Sequence, residues 1–198
     1  MLDATLVRKT SYFSRKFRKI SDWVSAATIW DTSGVYFALR CKDTTPQQHV
    51  PKATPWRSDS VELYFNPSIE HSFQDGNFYP GDSQVICPVP GLQDSSSSVA
   101  TAYRGQPPGS ELNKSPRMVP ETIKMATKRF DGGYTMEIFI PWKNFPESFS
   151  AKPGNFLGFS MAIRDMDDNG TQQHRVIWAG DETDYRDTSG YGVLLLTK

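Results

Sequence analysis

The chain has 198 residues, which is enough for one domain with a substantial core. Its 22 Lys and Arg residues balance its 22 Asp and Glu residues, so net charge does not indicate a nucleic-acid or membrane-surface partner and favours a small neutral ligand. Aromatic residues make up 13% and Gly and Pro number 14 each, whereas apolar residues rarely recur at helical spacing. This composition predicts an all-β chain of short strands joined by turns.

Targeting signals and cysteine chemistry give little further direction. No stretch reaches the roughly 18–20 apolar residues of a membrane-spanning helix, and the first residues lack the apolar core of a signal peptide. Cys41 and Cys87 fall in predicted strands, where a disulfide and two buried free thiols are equally compatible with the sequence. No Cys-x-x-Cys or Cys/His spacing predicts a metal.

The chain begins with basic pairs among aromatic and aliphatic residues. A nucleic-acid binder can begin this way, but balanced acidity downstream favours a solvated face on edge strands, where Lys and Arg discourage sheet-to-sheet pairing. Alternating apolar residues then predict a hairpin of residues 26–31 and Val35–Lys42 around the turn at 31–34.

The stretch Pro55–Asn66 combines an aromatic residue, a carboxylate and an alternating pattern. Asp59, Val61, Leu63 and Phe65 fall on one face and Ser60, Glu62, Tyr64 and Asn66 on the other, as expected of a half-buried strand. Trp56 precedes this strand in a loop. An exposed indole near a carboxylate suits a flat, hydroxyl-rich ligand, and a core Trp is the alternative.

The remaining chain predicts further strands and one long surface segment. Residues 83–89 form a short strand, and 90–120 is a Ser/Pro/Gly-rich excursion with one strand near 98–104. The later predicted hairpins pair 122–130 with 134–141 around Asp131-Gly132-Gly133, and 156–165 with 172–178, before a final strand at 192–197. With ten to twelve strands in all, we expect a single domain over 1–198, a two-sheet antiparallel β-sandwich with long surface loops.

Enzyme motifs are absent from the sequence. His49, His71 and His174 do not stand in a motif with a nucleophile or metal-ligand partner, and no Gly-x-Ser-x-Gly, phosphate loop or His-Glu-x-x-His occurs. Glu62 and Glu137 could pair as glycosidase carboxylates, but strand Glu residues are usually solvated. We therefore expect no catalysis.

The residues Asp165, Asp167 and Asn169, followed by Gly170, repeat the opening of a calcium loop. The position of the bidentate Glu holds Val176, and the stretch lies between two strands, so a polar hairpin turn is the alternative explanation. We expect no required cofactor, with a structural calcium ion at this loop as the metal hypothesis.

Several blocks, taken in order, resemble carbohydrate-binding module family 9. They are Val35–Asp43, Pro55–Asn66, Gly133–Glu137 with Ile140–Trp142, Gly158–Asp165, Val176–Trp178 and Tyr185–Gly192. The resemblance implies a non-catalytic β-sandwich that holds a sugar, such as a glucan or xylan chain end, between two aromatic rings. It also implies an extracellular or periplasmic location, an oligo- or polysaccharide ligand, an attached or partner glycoside hydrolase, and no nucleic-acid or membrane partner.

Carried over by position, the resemblance makes Trp56 one ring of the sugar clamp and Glu62 a carboxylate that hydrogen-bonds sugar hydroxyls. Tyr185 stands where the second ring, a Trp, is expected. An Arg is expected near Ile86 and a Gln near Ala162, and both are replaced here. Arg164 shares the Ala162 face and is the candidate substitute donor.

Two rival functions stay open. A divergent sandwich could serve as a structural or protein-interaction domain, in which Trp56 is buried and Tyr185 lies away from it. Similar sandwiches bind haem through Met with His or Lys, but Met136 and Met161 fit apolar strand faces and are more simply core residues.

Overall fold

The computed structural model describes residues 2–7, 23–45, 57–68, 81–89, 101–103, 118, 120–167 and 172–198. These residues form eleven β-strands, short helical turns at Pro120–Thr122 and Trp142–Asn144, and no α-helix. None of the described helices is long and apolar enough to cross a membrane. The strands are β1 (Leu2–Val7), β2 (Val24–Trp30), β3 (Gly34–Lys42), β4 (Ser60–Asn66), β5 (Ser83–Pro88), β6 (Thr101–Tyr103), β7 (Lys124–Phe130), β8 (Gly133–Pro141), β9 (Phe156–Asp167), β10 (Gln172–Ile177) and β11 (Gly192–Leu196).

The strands make two antiparallel sheets. Sheet A has the order β1-β2-β3-β8-β7, and sheet B has the order β6-β5-β4-β9-β11-β1, with β10 pairing the second half of β9. The predicted two-sheet β-sandwich is confirmed. Strand β1 pairs with β2 and with β11, so it joins the sheets. Each half of β1 lies at the edge of one sheet, and the basic pairs expected on edge strands lie outside the described residues.

The core lies between the sheets and is built from the alternating inner residues of each strand. Phe37 of sheet A stacks on Phe159 of sheet B with ring centroids 5.2 Å apart, and Phe65 lies 5.4 Å from Phe159. Met136 and Met161 are buried in this core, as the sequence predicts. Trp178 is also buried there, so it packs as a core residue.

Both cysteines are free and buried, one in each sheet, which decides between the two alternatives for Cys41 and Cys87. Burial raises the pKa of the Cys41 thiol to about 11 and that of Cys87 to about 12. Neither thiol is therefore a reactive nucleophile at neutral pH.

Strand β4 differs from its prediction in burial. The alternation holds, but all seven residues are buried, because β4 is an interior strand between β5 and β9 and its outer face is also covered. Tyr64 on that outer face packs with Ala162 and Tyr191 in a second small cluster. The prediction that this stretch is a half-buried strand is therefore wrong.

Candidate functional site

The candidate site lies on the outer face of sheet B and centres on Glu62, whose side chain is fully buried. Period-two alternation places Glu62 and Tyr64 on this face, opposite the core residues of the same strand. The residues directly beside Glu62 across the sheet are Ile86 on β5 and Ala162 on β9, and neither can hydrogen-bond a carboxylate through its side chain. Its partners must therefore come from farther along the neighbouring strands.

Those partners come from both sides of β4. Arg164 Nε donates to Glu62 Oε1, and Arg175 Nη2 lies 3.4 Å from Oε2. On the β5 side, Gln84 Nε2 donates to Oε2 at 3.3 Å. The hydroxyl of Tyr64 also donates to Oε2. Arg164 and Gln84 are diagonal neighbours of Glu62, a spacing that long side chains can bridge.

Tyr64 is a second node of this network. Its hydroxyl oxygen accepts from Arg175 Nη2 at 2.8 Å and from Gln84 Nε2 at 3.3 Å. Burial, followed by the charge of Glu62, raises the pKa of the Tyr64 phenol well above its ordinary value. It therefore stays protonated and donates to Glu62, so the carboxylate has a donor from every adjoining strand on this face.

The side chains of this network differ in their solvent exposure. Glu62 and Tyr64 are fully buried, whereas the side chains of Arg164 and Arg175 keep 16% and 10% exposure. Glu62 thus orients the guanidinium groups from below. The predicted role of Glu62, direct hydrogen bonding to a sugar, would require rearrangement of these donors.

Tyr185 lies on the loop between β10 and β11, and the residue is 47% exposed. Arg175 ties this loop to the Glu62 network, because its Nη1 lies 3.4 Å from the carbonyl oxygen of Glu182. The guanidinium of Arg186 lies 5.5 Å from the Tyr185 ring centroid. Trp56, the other predicted ring, lies outside the described residues.

Buried polar contacts hold the Tyr185 loop against sheet B. The hydroxyl of Tyr191 donates to the carbonyl oxygen of Asp184 at 2.6 Å, and Ser160 Oγ lies 2.6 Å from Asp184 Oδ2. Asp184 Oδ1 accepts from the backbone N–H of Asp181 at 2.9 Å. Burial raises the pKa of Asp184 to about 7, against the opposing effects of these hydrogen bonds and of Arg175.

Two of the predicted calcium residues, Asp165 and Asp167, lie on β9. Strand β9 continues to Asp167, which pairs with Gln172 and so belongs to the strand rather than to the turn. Asn169 lies outside the described residues. Asp165 instead approaches Asp43 and Asp59, with carboxylate oxygens of the three within 4.8 Å of one another.

Oxygen ligands of this kind suit calcium. The carboxylate of Asp59 already accepts the Met166 backbone N–H at 2.6 Å. Beside the carboxylates, a pocket of about 240 Å3 is lined by residues of both sheets, including Trp23, His174 and Asp165.

The two glutamates considered for glycoside cleavage lie on opposite outer faces of the sandwich. Glu137 is exposed on β8 of sheet A, and Glu62 is buried on β4 of sheet B. A retaining or inverting pair needs carboxyl groups about 5–10 Å apart on either side of one bond. The core between the sheets separates them, so they cannot act together on one sugar.

Sequence reasoning missed Gln84 and Arg175. Both could have been found by aligning strand faces, since Gln84 shares the face of Ile86 and Arg175 stands opposite Arg164 in the hairpin register. The expected Arg and Gln are replaced at their own positions. In the structure, an amide and a guanidinium stand at diagonal positions instead, on Gln84 and Arg164.

A β-sandwich whose outer sheet face carries buried polar support, partly exposed donors and an exposed aromatic loop has the form of a carbohydrate-binding module. Residues 12–198 match the carbohydrate family 9 binding domain-like family. Because the match covers most of the sequence, the chain belongs to this family of non-catalytic carbohydrate-binding modules.

Similar proteins include the exoglucanase XynX of Acetivibrio thermocellus, 26% identical over 174 residues, which are 87% of this chain and 13% of that protein. Endo-1,4-beta-xylanase A of Thermoanaerobacterium saccharolyticum is 36% identical over 76 residues, 38% of this chain and 6% of the relative. The chain thus spans only a small part of these proteins. Among solved structures, a family 9 carbohydrate binding module from Caldicellulosiruptor kristjanssonii in complex with cellotriose gives a TM-score of 0.61 at 17% identity, covering 99% of this chain and 83% of that one.

Proposed function

We propose that the outer face of sheet B binds a sugar unit of an oligo- or polysaccharide, without catalysis, and that Glu62, Arg164, Tyr185 and Trp56 form the site. The observation that carries this proposal is the network on Glu62. Burying a carboxylate costs desolvation free energy. A buried carboxylate that engages three neighbouring strands and fixes two partly exposed guanidinium groups is therefore expected where those groups are needed for binding.

The aromatic part of the proposal rests on Tyr185. Sugar rings present C–H faces that pack on aromatic planes, while their hydroxyl edges need fixed donors and acceptors. Tyr185 offers an exposed ring on a loop that Arg175 ties to the polar network. Trp56 precedes the strand that carries Glu62 and is proposed as the facing ring.

The glycan and the cellular setting are also proposals. The relatives named above are an exoglucanase and a xylanase, and the related solved module holds cellotriose. We infer that the ligand is a unit of a β-glucan or xylan and that the module serves an attached or partner glycoside hydrolase outside the cytoplasm.

Calorimetric titration with glucose, cellobiose, xylobiose and longer chains tests the proposal. We expect saturable binding that Tyr185→Ala or Trp56→Ala weakens about tenfold or more, because one stacked ring contributes on the order of 1–3 kcal/mol. Phe156→Ala is the matched control, since Phe156 is a similarly exposed ring (46%) at the start of β9. No heat with any of these sugars, or equal affinity in the Trp56 variant, would refute the clamp.

A further inference from the structure

The polar groups that solvent can reach around Glu62 carry an excess of positive charge. Two guanidinium groups, of Arg164 and Arg175, surround one carboxylate, and that carboxylate is fully buried. Gln84 adds a neutral amide and Tyr64 a buried phenol whose raised pKa keeps it uncharged. Within this network, the groups that keep solvent exposure are therefore cationic donors, and its one carboxylate is buried.

Part of this donor capacity is unused. Arg164 reaches Glu62 through Nε, and its two terminal nitrogens make no hydrogen bond with any residue that the structure describes. Arg175 is nine-tenths buried, and its Nε likewise has no partner within the described part of the chain. Glu62 already receives donors at both of its oxygens. The acceptor oxygens of Glu62 are therefore fully used, whereas the two arginines keep N–H groups that have no hydrogen-bond partner among the described residues.

The surrounding charges do not cancel this excess at close range. Arg186 adds a third guanidinium beside the Tyr185 ring. Asp181 and Glu182 on the same loop are exposed and Asp187 is partly exposed, so water and salt screen their charges. Asp184 is buried below the loop, and burial raises its pKa to about 7.

We propose that the preferred ligand of this site is an anionic sugar unit, either a uronic acid or a sulfated sugar. This inference rests on the proposed sugar-binding function and departs from the neutral glucan or xylan unit that the relatives suggest, because it is argued from the charges of this chain's own site. A guanidinium fork matches the two oxygens of a carboxylate or of a sulfate ester, and such charge-assisted pairs are about twice as strong as neutral hydrogen bonds. A neutral hydroxyl would leave the excess charge of the two guanidinium groups unpaired.

The test is a titration of the whole chain with three sugars that differ at one carbon: glucose, glucuronate and glucose 6-sulfate. We expect at least one anionic sugar to bind about tenfold or more tightly than glucose, and the advantage to shrink between about 0.1 M and about 1 M NaCl as the screening length falls from about 10 Å to about 3 Å. The anion that gains more affinity identifies a carboxylate or a sulfate. Equal affinities, or tighter binding of glucose, would overturn the inference while leaving the proposed function intact. No binding of any neutral or anionic sugar would refute both.

A pair of arginine variants tests the source of the preference. Arg164→Gln is expected to lower affinity for the preferred anion about tenfold and affinity for glucose by much less, whereas Arg164→Lys should retain part of the preference. Arg40→Gln is the matched control, because Arg40 is exposed on sheet A and lies over Phe130 instead. Thermal melts establish that each variant is folded. Equal losses for glucose and the anion in a folded Arg164→Gln variant would refute Arg164 as the source of the preference.

Discussion

Replacing Asp184 by Asn should remove a pH dependence of stability that is built into the loop bearing Tyr185. Ser160 has one hydroxyl proton, yet its Oγ closely contacts the carbonyl of Ala179 and lies 2.6 Å from Asp184 Oδ2. If the Ser160 hydroxyl donates its hydrogen bond to that carbonyl, its oxygen can only accept a hydrogen bond from Asp184. The carboxyl of Asp184 must then be protonated. Burial favours the same protonated form, since it raises the pKa of Asp184 to about 7.

The sign follows from comparing the folded and unfolded chains. Below pH 4 the carboxyl is protonated in both, and between about pH 4 and pH 7 the unfolded chain releases the proton while the folded chain keeps it. The free energy of unfolding therefore falls as pH rises through this window and levels off above it. With about 1.4 kcal/mol for each unit of pKa, the loss is at most on the order of 4 kcal/mol.

An Asn at position 184 reproduces the protonated acid. Its Nδ2 can donate to Ser160 Oγ while its Oδ1 accepts the N–H of Asp181, so neither contact is lost. We expect Asp184→Asn to match the wild type near pH 4.5 and to exceed it by up to a few kcal/mol at pH 8. Urea denaturation at both pH values measures the free energy of unfolding of the variant and of the wild type. Subtracting the two at each pH cancels the contributions of all other titrating groups.

The matched control is Asp187→Asn, a change of the same kind at a partly exposed carboxylate of the same loop that accepts the Ser189 N–H. Its effect on stability should be small, because this carboxylate is partly exposed. A difference between Asp184→Asn and the wild type that is flat from pH 4.5 to pH 8 would refute the reasoning.

Three further predictions concern other parts of the molecule. Glu62→Gln should destabilise the fold by about 3–5 kcal/mol or somewhat less, since removing one partner of a buried ion pair costs that much and the arginines here are partly exposed; a denaturation midpoint unchanged from the wild type would contradict this. Adding reductant should leave the thermal midpoint unchanged, because both thiols are free; a drop would reveal a disulfide. If calcium raises the thermal midpoint, Asp43→Asn abolishing the rise would support the Asp43, Asp59 and Asp165 group, and Asp167→Asn abolishing it would support the predicted loop; no rise at millimolar calcium would contradict a calcium site.

Much of the fold follows from local patterns. Period-two alternation and the Asp131-Gly132-Gly133 turn predict the β7–β8 hairpin, because such turns match the twist of paired strands. Burial is harder to predict than strand type. The polar residues of β4 suggest a solvated face, but pairing on both sides and the packing of Tyr191 over Tyr64 cover it.

The candidate site was predictable only in part for a related reason. Glu62 and Arg164 follow from their own strands, but their contact depends on the register between β4 and β9. Predicting that Arg175 reaches Glu62 also requires the register of a second pair of strands, β9 with β10. Each register is set by long-range packing and turn geometry, which a single strand does not carry.

The diagonal origin of the donors determines what Glu62 can do. Its direct neighbours across the sheet, Ile86 and Ala162, are apolar, so the described side chains that hold the carboxylate reach it from one pair further along. Such side chains must extend over the sheet, and their guanidinium groups then lie between Glu62 and solvent. A ligand thus meets the cations before the carboxylate. For this reason the stability lost in Glu62→Gln and the ligand preference lost in Arg164→Gln should be separable, even though the two residues are in contact.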